Sequence, residues 1–257
     1  ASLVGSEMCI RDRFTYAHNK VLEYDEPDFQ KYPNISRVGH SVDQQLLYIA
    51  ERLFIDDSEV QRNPKQNLGG WVSGGDIKYK NLPDVNGNYD NVIDSNDRQY
   101  TGMPTTPEIV YGFGPSFRYK KFDFSFFFQG AARVSIMMNG IHPFGAEGTR
   151  NVLQFIADDY WSETNQNIYA EYPRLSKRDN ENNTKASTYW QRNGAFLKLK
   201  NLEVGFNHKF FRVYLRGSNL LTFSPFKYWD PEMGSGSGLS YPTQRVFNVG
   251  VQFSINK

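Results

Sequence analysis

Strict alternation of apolar and polar side chains is the feature that most constrains this chain. A two-residue period marks β-strands whose two faces meet different surroundings. The pattern occupies five segments of the second half: 109–119, 122–133, 195–207, 211–223 and 245–256. Each segment is about ten residues long, which is enough for a tilted strand to cross an apolar band of about 25 Å.

The third of these segments changes phase part of the way along. Leu197 and Leu199 fall on one parity, whereas Leu202, Val204 and Phe206 fall on the other. A β-bulge inserts one extra residue and shifts the parity of everything after it. The sequence therefore predicts a bulge near Asn201.

The connections between the five segments alternate between short and long. Short links lie at 120–121 and 208–210, and long links lie at 134–194 and 224–244. Soluble antiparallel sandwiches also alternate in hydrophobicity, but a link of about sixty residues without its own structure is unusual in a compact domain. Outer-membrane barrels place short turns at one rim and long loops at the other. We therefore expect an all-β fold, with the strands forming part of a large antiparallel transmembrane β-barrel in one sequential meander.

Composition excludes two other classes of protein. Aromatic residues make up 16% of the chain and the mean hydropathy is −0.62, with no apolar run as long as the roughly 18 to 20 residues of a transmembrane helix. The formal charge of +1 is spread along the chain without a basic stripe, so we expect no nucleic-acid partner. The single cysteine, Cys9, excludes a disulfide framework.

Residues 1–13, ASLVGSEMCIRDR, do not look like a signal peptide, because the segment lacks a charged start and a long apolar core. They resemble a translated sequencing adaptor. We therefore interpret 1–13 as a non-native scar and 14–257 as the protein's own sequence.

Several motifs of residues 191–257 resemble, in order, those of the SusC/RagA family of TonB-dependent outer-membrane transporters. RNGAFLKLKNLEVGF at 192–206 is similar to the family's RNGSFLRLKNITLGY strand, and VYLRGSNLLT at 213–222 to its penultimate strand. YWDPE at 228–232 resembles the GYDPE loop, and YPTQRVFNVG at 241–250 resembles the entry to the closing strand.

The resemblance continues upstream to about Gly39. It includes GDIKY at 75–79, VIDSNDR at 92–98, the strand at 122–130, and the loop YWSETN at 160–165 with YPRL at 172–175. The family resemblance implies the C-terminal strands and extracellular loops of a plugged barrel of about 22 strands in the cell outer membrane. It also implies import of oligosaccharides, other glycans or peptides with a SusD-like surface lipoprotein, and coupling to the TonB complex through parts outside this chain.

No enzyme signature is present, so we expect no catalytic activity. Candidate residues for contact with a substrate or partner lie in the long loops. Tyr160, Trp161, Tyr228 and Trp229 have aromatic faces that can stack on sugar rings or on a partner's side chains. The alternative is that these rings pack the loops against one another or form an interfacial aromatic girdle.

An acidic loop at 84–97 partly follows a calcium-loop pattern. Its candidate ligands are Asp84, Asn86, Asn88 and Asp90 at positions 1, 3, 5 and 7, with Asp94 or Asp97 as a later carboxylate. Tyr89 replaces the usual glycine and Ser95 the usual glutamate. The alternatives are therefore bound Ca²⁺ or a turn in which side-chain oxygens accept backbone N–H groups.

Two hypotheses of function follow. The first is outer-membrane nutrient import, and the second is a soluble β-sandwich that binds carbohydrate or acts as an adhesin. Under the first, the chain alone exposes lipid-facing Phe, Val and Leu side chains and open strand edges, so we expect it to aggregate or to need detergent.

Overall fold

The computed structural model describes residues 6–143, 151–178 and 180–254, and most of its regular structure is β-strand. In chain order the strands are β1 (Ser6–Tyr16), β2 (Gln45–Tyr48), β3 (Ala50–Leu53), β4 (Lys65–Gln66), β5 (Ile77–Tyr79), β6 (Val92–Ile93), β7 (Arg98–Thr101), β8 (Ile109–Tyr119), β9 (Phe122–Ala132), β10 (Ser135–Met137), β11 (Gln191–Asn193), β12 (Phe196–Asn207), β13 (Phe211–Phe223) and β14 (Val246–Phe253). The helices are α1 (Asp57–Arg62), α2 (Gln154–Asp158) and α3 (Glu181–Thr184), with 3₁₀ turns at Pro33–Ile35, Ser95–Asp97 and Pro231–Met233. Within these described ranges, no helix is long and apolar enough to cross a membrane.

One six-stranded antiparallel sheet dominates the fold. Its spatial order is β1-β8-β9-β12-β13-β14. The five strands expected from alternation are all present, and from β8 to β14 they pair in chain order, which confirms the predicted meander. Four ends differ from the predicted bounds. β9 stops at Ala132, where Arg133 takes a left-handed φ of 52°, and β12 begins at Phe196. β14 runs from Val246 to Phe253, and the predicted positions 255–256 lie outside the described residues.

The rims of the sheet also follow the expectation. Phe122 pairs with both Tyr119 and Phe206, and the Asn207 N–H donates to the Lys121 carbonyl at 2.6 Å, so the two short turns share one rim. At the opposite rim Ala131 pairs with Phe196, and the long loops begin there. We call these the turn rim and the loop rim.

The predicted bulge is present in β12. Leu199 pairs with Phe128 of β9 and Asn201 pairs with Phe127, which leaves Lys200 as the extra residue. The same discontinuity appears against β13. It lets apolar side chains on both sides of Lys200 share one face with those of the neighbouring strands.

The sheet therefore has two unlike faces. On the apolar face, side chains of neighbouring strands lie opposite one another. They include Phe122, Phe124, Val204, Phe206, Val213, Leu215, Val249 and Val251. Much of this face is open, since Leu215 is 53% and Val249 76% exposed. The polar face carries the alternate residues, among them Asp123, Glu203 and Arg212.

Strand β1 contains residues 6–13, the described part of the segment interpreted as a non-native scar, and continues to Tyr16. It pairs with β8 from Ser6 opposite Tyr119 to Tyr16 opposite Ile109. Backbone pairing uses N–H and C=O groups that nearly every residue has, so the pairing is compatible with many sequences at this edge. The origin of residues 1–13 stays a prediction.

A second body, the loop unit, sits at the loop rim. It comprises the described parts of 45–101, 135–193 and 226–238, with short two-stranded pairings β2-β7, β3-β5, β4-β6 and β10-β11. These segments meet in one hydrophobic core that includes Leu47, Leu53, Ile77, Trp161 and Trp190. Long loops at this rim thus form a packed layer.

Candidate functional site

Four charged side chains form a ladder on the polar face toward the turn rim. The Arg212 guanidinium lies 2.6 Å from an Asp123 carboxylate oxygen and 2.6 Å from a Glu203 oxygen. Arg216 reaches the other oxygen of Glu203 at 2.9 Å. Asp123 also accepts a hydrogen bond from the Asn207 amide. The carboxylates and guanidinium groups of neighbouring strands thus balance one another's charge, and this face of the sheet remains polar.

A second charged group lies at the loop rim. The Lys198 ammonium is 2.5 Å from Asp230 and 2.6 Å from Glu232, and Lys200 is 2.9 Å from Glu232. The side chain of Lys198 is only 1% exposed. Both carboxylates come from the loop after β13, so this group ties that loop to the wall formed by β12.

Trp161 and Tyr160, two of the predicted contact residues, lie in the loop unit. Trp161 is 6% exposed, and its ring lies against Gly75, where an added Cβ would sit only 2.2 Å from a ring carbon. Gly75 also has a left-handed φ of 80°, so only glycine fits there without strain. Tyr160 is partly buried against the same core.

Tyr228 and Trp229 also pack onto this core, from the loop after β13. The Tyr228 ring lies 4.7 Å from Phe155, and its hydroxyl pairs with the Glu171 carboxylate. Trp229 stacks edge-on against Phe226 at 4.7 Å, and its indole N–H donates to the Gly234 carbonyl at 3.0 Å. All four predicted aromatics thus have packing roles, and contact with a substrate stays a prediction.

Asp76 is a central residue that alternation and loop aromatics did not reveal. Its carboxylate is fully buried, lies 2.8 Å from the Arg174 guanidinium, and accepts hydrogen bonds from the amides of Asn180 and Asn183, each at 2.9 Å. Burial raises the pKa of Asp76, although Arg174 opposes that rise. The only sequence signal for this pair is the resemblance of GDIKY and YPRL to family motifs, and the structure shows these two motifs in contact.

A network of buried amides extends from Asp76. The Asn182 side chain donates to the Ile77 carbonyl at 2.9 Å and accepts from Gln66 at 2.6 Å. The backbone N–H of Tyr79 donates to Gln66 at 2.7 Å, and the Trp190 indole donates to the Asn183 carbonyl at 2.7 Å. When all the buried polar groups of a network have hydrogen-bond partners, the network favours a single packing of the surrounding core.

The acidic loop is organised by hydrogen bonds to its own backbone. One Asp84 oxygen accepts the N–H groups of Asn86 at 2.8 Å and Asn88 at 2.9 Å. Asp94 and Asp97 form a reciprocal capping box around the 3₁₀ turn. Across the described part of the chain, no group of three or more His, Cys, Asp or Glu side chains is arranged to hold a metal ion. These contacts are those of the hydrogen-bonded turn, and calcium binding stays a prediction.

The fold defines a class of protein: a wall of meandering antiparallel strands with one apolar face, short turns at one rim and a packed loop layer at the other. The chain has the fold of part of the RagAB peptide importer, and its sequence is similar to part of two TonB-dependent receptors. No family model matches it.

Two curated relatives and several solved structures support this assignment. The chain is 30% identical over 191 residues to TonB-dependent receptor P3 of Formosa agariphila and 28% identical over 269 residues to TonB-dependent receptor P26 of the same organism. The alignments cover 65% and 91% of this chain. The chain spans only 18% and 26% of the lengths of these two receptors.

The solved structures show the same fold at lower identity. The RagAB peptide importer in its open-open state aligns with 98% of this chain at a TM-score of 0.64 and 18% identity. Its closed-closed state gives a TM-score of 0.63. This chain covers 27% and 28% of the two structures' chains.

Proposed function

We propose that this chain supplies part of the barrel wall and the extracellular loops of an outer-membrane importer that takes up nutrients in a TonB-dependent manner. The observation that carries the proposal is that one sheet has both an apolar and a polar face and also bears a packed loop layer at only one rim. An apolar face suits lipid, a polar face suits the barrel interior, and a loop layer at one rim suits the cell exterior.

The apolar face argues against the soluble sandwich. In a sandwich, a second sheet packs on the apolar face about 10 Å away and buries its side chains. Here Phe247, Val249 and Phe253 are 69%, 76% and 75% exposed. Contact with lipid chains would remove this surface from water.

The proposed substrates are oligosaccharides, other glycans or peptides, captured together with a SusD-like surface lipoprotein. A structure named as a peptide importer supports peptides among these cargoes, and with the two TonB-dependent receptors it supports a partner lipoprotein in general. The proposal of oligosaccharides and other glycans rests on the family resemblance of the sequence. The partly exposed faces of Tyr160, Tyr228 and Trp229 are the proposed contact surfaces. Trp161 would act by holding the loop unit in shape.

Fractionation of cells that express the full receptor chain tests the location. We expect the receptor in detergent-extracted outer membranes, and recovery as a soluble secreted protein would overturn the proposal. Uptake of labelled oligosaccharides and of labelled peptides, compared in cells with and without the receptor gene, then tests the cargo. Loss of neither uptake would refute import of both cargo classes.

A further inference from the structure

The loop after β13 crosses back over the polar face as a strap, which we define as residues 226–238. On one side it is held by backbone groups near β10. The Gly236 N–H donates to the Met137 carbonyl at 3.0 Å, and the Asn139 N–H donates to the Gly236 carbonyl at 3.0 Å. The Ser235 hydroxyl accepts the Met137 N–H at 3.0 Å. Phe226 anchors the beginning of the strap, since it is only 4% exposed.

On its other side the strap is held by the charged group at the loop rim, which we call the latch: Lys198, Lys200, Asp230 and Glu232. Lys198 bridges both carboxylates, and Lys200 reaches Glu232 with two contacts of 2.9 and 3.0 Å. Asp230 also caps the 3₁₀ turn by accepting the Glu232 N–H at 3.1 Å. The shape of the strap and its attachment therefore depend on the same carboxylates.

The charges of the latch balance, with two ammonium groups and two carboxylates. Burial acts to raise the pKa of Asp230, but the Lys198 ammonium beside it brings that pKa below its ordinary value. When one partner of a buried ion pair is removed, the other is left charged without compensation, which is strongly unfavourable. Loss of one member should therefore expel the remaining charges into water and move the strap.

A cavity of about 320 Å³, partly open to solvent, lies beside the strap. Val110, Gln129 and Phe196 line it from the sheet, and Pro231, Glu232 and Gly234 line it from the strap. One wall of this cavity is thus the segment that the latch holds down. Its size is comparable to the lower end of small-molecule pockets.

We propose that the strap is a gate element at the loop rim, held down by the Lys198–Lys200–Asp230–Glu232 latch, and that opening of the latch widens the partly open cavity beside it. This inference goes beyond import. It concerns a conformational equilibrium of the receptor that exists without substrate. The test therefore uses no substrate, and its result is independent of whether import is observed.

Hydrogen–deuterium exchange on the full receptor chain in detergent tests the gate. Lys198→Met leaves two partly buried carboxylates without their shared cation, and only Glu232 keeps a partner, Lys200. Peptides covering 226–238 should therefore exchange at least about tenfold faster. Peptides covering β13 at 211–219 should not change. The matched control is Lys209→Met, which removes an exposed lysine from the turn rim.

A second variant separates latch loss from misassembly. Asp230→Asn with Glu232→Gln leaves the two lysines without anions and should also accelerate exchange of the strap. The quadruple variant Lys198→Met, Lys200→Met, Asp230→Asn and Glu232→Gln removes every charge of the latch. It should restore protection of the strap to within about threefold of the unmodified receptor, because neutral side chains can often replace a buried ion pair without loss of stability.

Two results would overturn the inference. One is a strap in Lys198→Met that exchanges at the rate found in Lys209→Met. The other needs no variant: in the unmodified receptor, the strap should exchange more slowly than the exposed turn at 84–91, and equal rates would show that the latch holds nothing closed.

Discussion

The large sheet and the loop unit bury their apolar side chains in different ways. The sheet has one row of apolar side chains per strand, and this face stays open, as Leu215 at 53% exposure illustrates. The loop unit closes around its own core, where Leu53 and Ile77 are completely buried beside the charged side chain of Asp76. The apolar face of the sheet is left uncovered by the described part of the chain, and lipid covers it under the proposed function. The loop unit instead has an internal core that a local polar network specifies.

Deleting Lys200 should have the largest effect, because it tests the sheet alone. Without the bulge, one half of β12 is forced to turn its apolar side chains to the polar face. We expect no assembled receptor in the outer membrane, measured by heat-modifiable migration on gels. Lys200→Ala keeps the extra residue and should assemble, and assembly of the deletion variant would contradict the two-face description.

Asp76→Ala should have the next largest effect, confined to the loop unit. It leaves the Arg174 guanidinium, whose side chain is 15% exposed, without its carboxylate. Loss of one partner of a buried pair costs about 3–5 kcal/mol. Hydrogen exchange should show local unfolding of 66–80 and 172–190 with the sheet unchanged. Asp25→Ala, at an exposed position, is the control. Equal exchange in both variants would show that the Asp76 network does not stabilise the loop unit.

Leu215→Arg tests whether the apolar face of the sheet contacts lipid or water. A charge at the midplane of a lipid-facing strand costs about 2–4 kcal/mol, whereas an ordinary exposed substitution changes stability by about 0.5 kcal/mol. Denaturant unfolding of the receptor in lipid should show the larger loss. Ser125→Arg is the matched control on the polar face, where it lies opposite Glu203. Similar stabilities of the two variants would favour a face that is open to water.

Acid should weaken the loop unit through Glu59. Burial acts to raise the pKa of Glu59, but Arg52 at 2.5 Å and Lys78 at 3.2 Å lower it from 4.5 to about 2. A lowered pKa stabilises the folded state fully above about 4.5, and this contribution is lost as the pH falls through about 2. Glu59→Gln should abolish this part of the acid dependence, as monitored by tryptophan fluorescence between pH 5 and 2.

The smallest effect is expected from Asp84→Ala in the acidic loop. The substitution removes an acceptor for two backbone N–H groups in an exposed turn, so cleavage of 84–91 by added protease should rise several-fold while both bodies remain folded. We expect the same cleavage of the unmodified receptor with calcium and with chelator. Protection by calcium that Asp84→Ala together with Asp90→Ala removes would instead establish a cation site.

Sequence reasoning succeeded where the physics is periodic and local. Alternation located the five strands, their order and the bulge at β12, because each strand has one face for each environment. It did not locate β1, because residues 1–13 are interpreted as non-native, although Met8, Ile10, Phe14 and Tyr16 share one parity that only Asp12 interrupts. The partners of Asp76 are also non-local: Arg174 and Asn183 lie about a hundred residues away along the chain. No short-range pattern encodes such contacts, and aromatic loop residues gave no indication of whether they would be buried, as Trp161 is, or partly exposed.

The bulge in β12 has a consequence for building hybrid receptors. Between the same two rungs of the sheet, β9 advances one residue from Phe128 to Phe127, β12 two from Leu199 to Asn201, and β13 three from Leu221 to Ser218. The register therefore shifts at this level, where each successive strand contributes one more residue between the same two rungs. A hybrid that joins the loops of one receptor to the turns of another must exchange all three strands on the same side of this level. A junction that mixes the two sides would join strands whose registers no longer match.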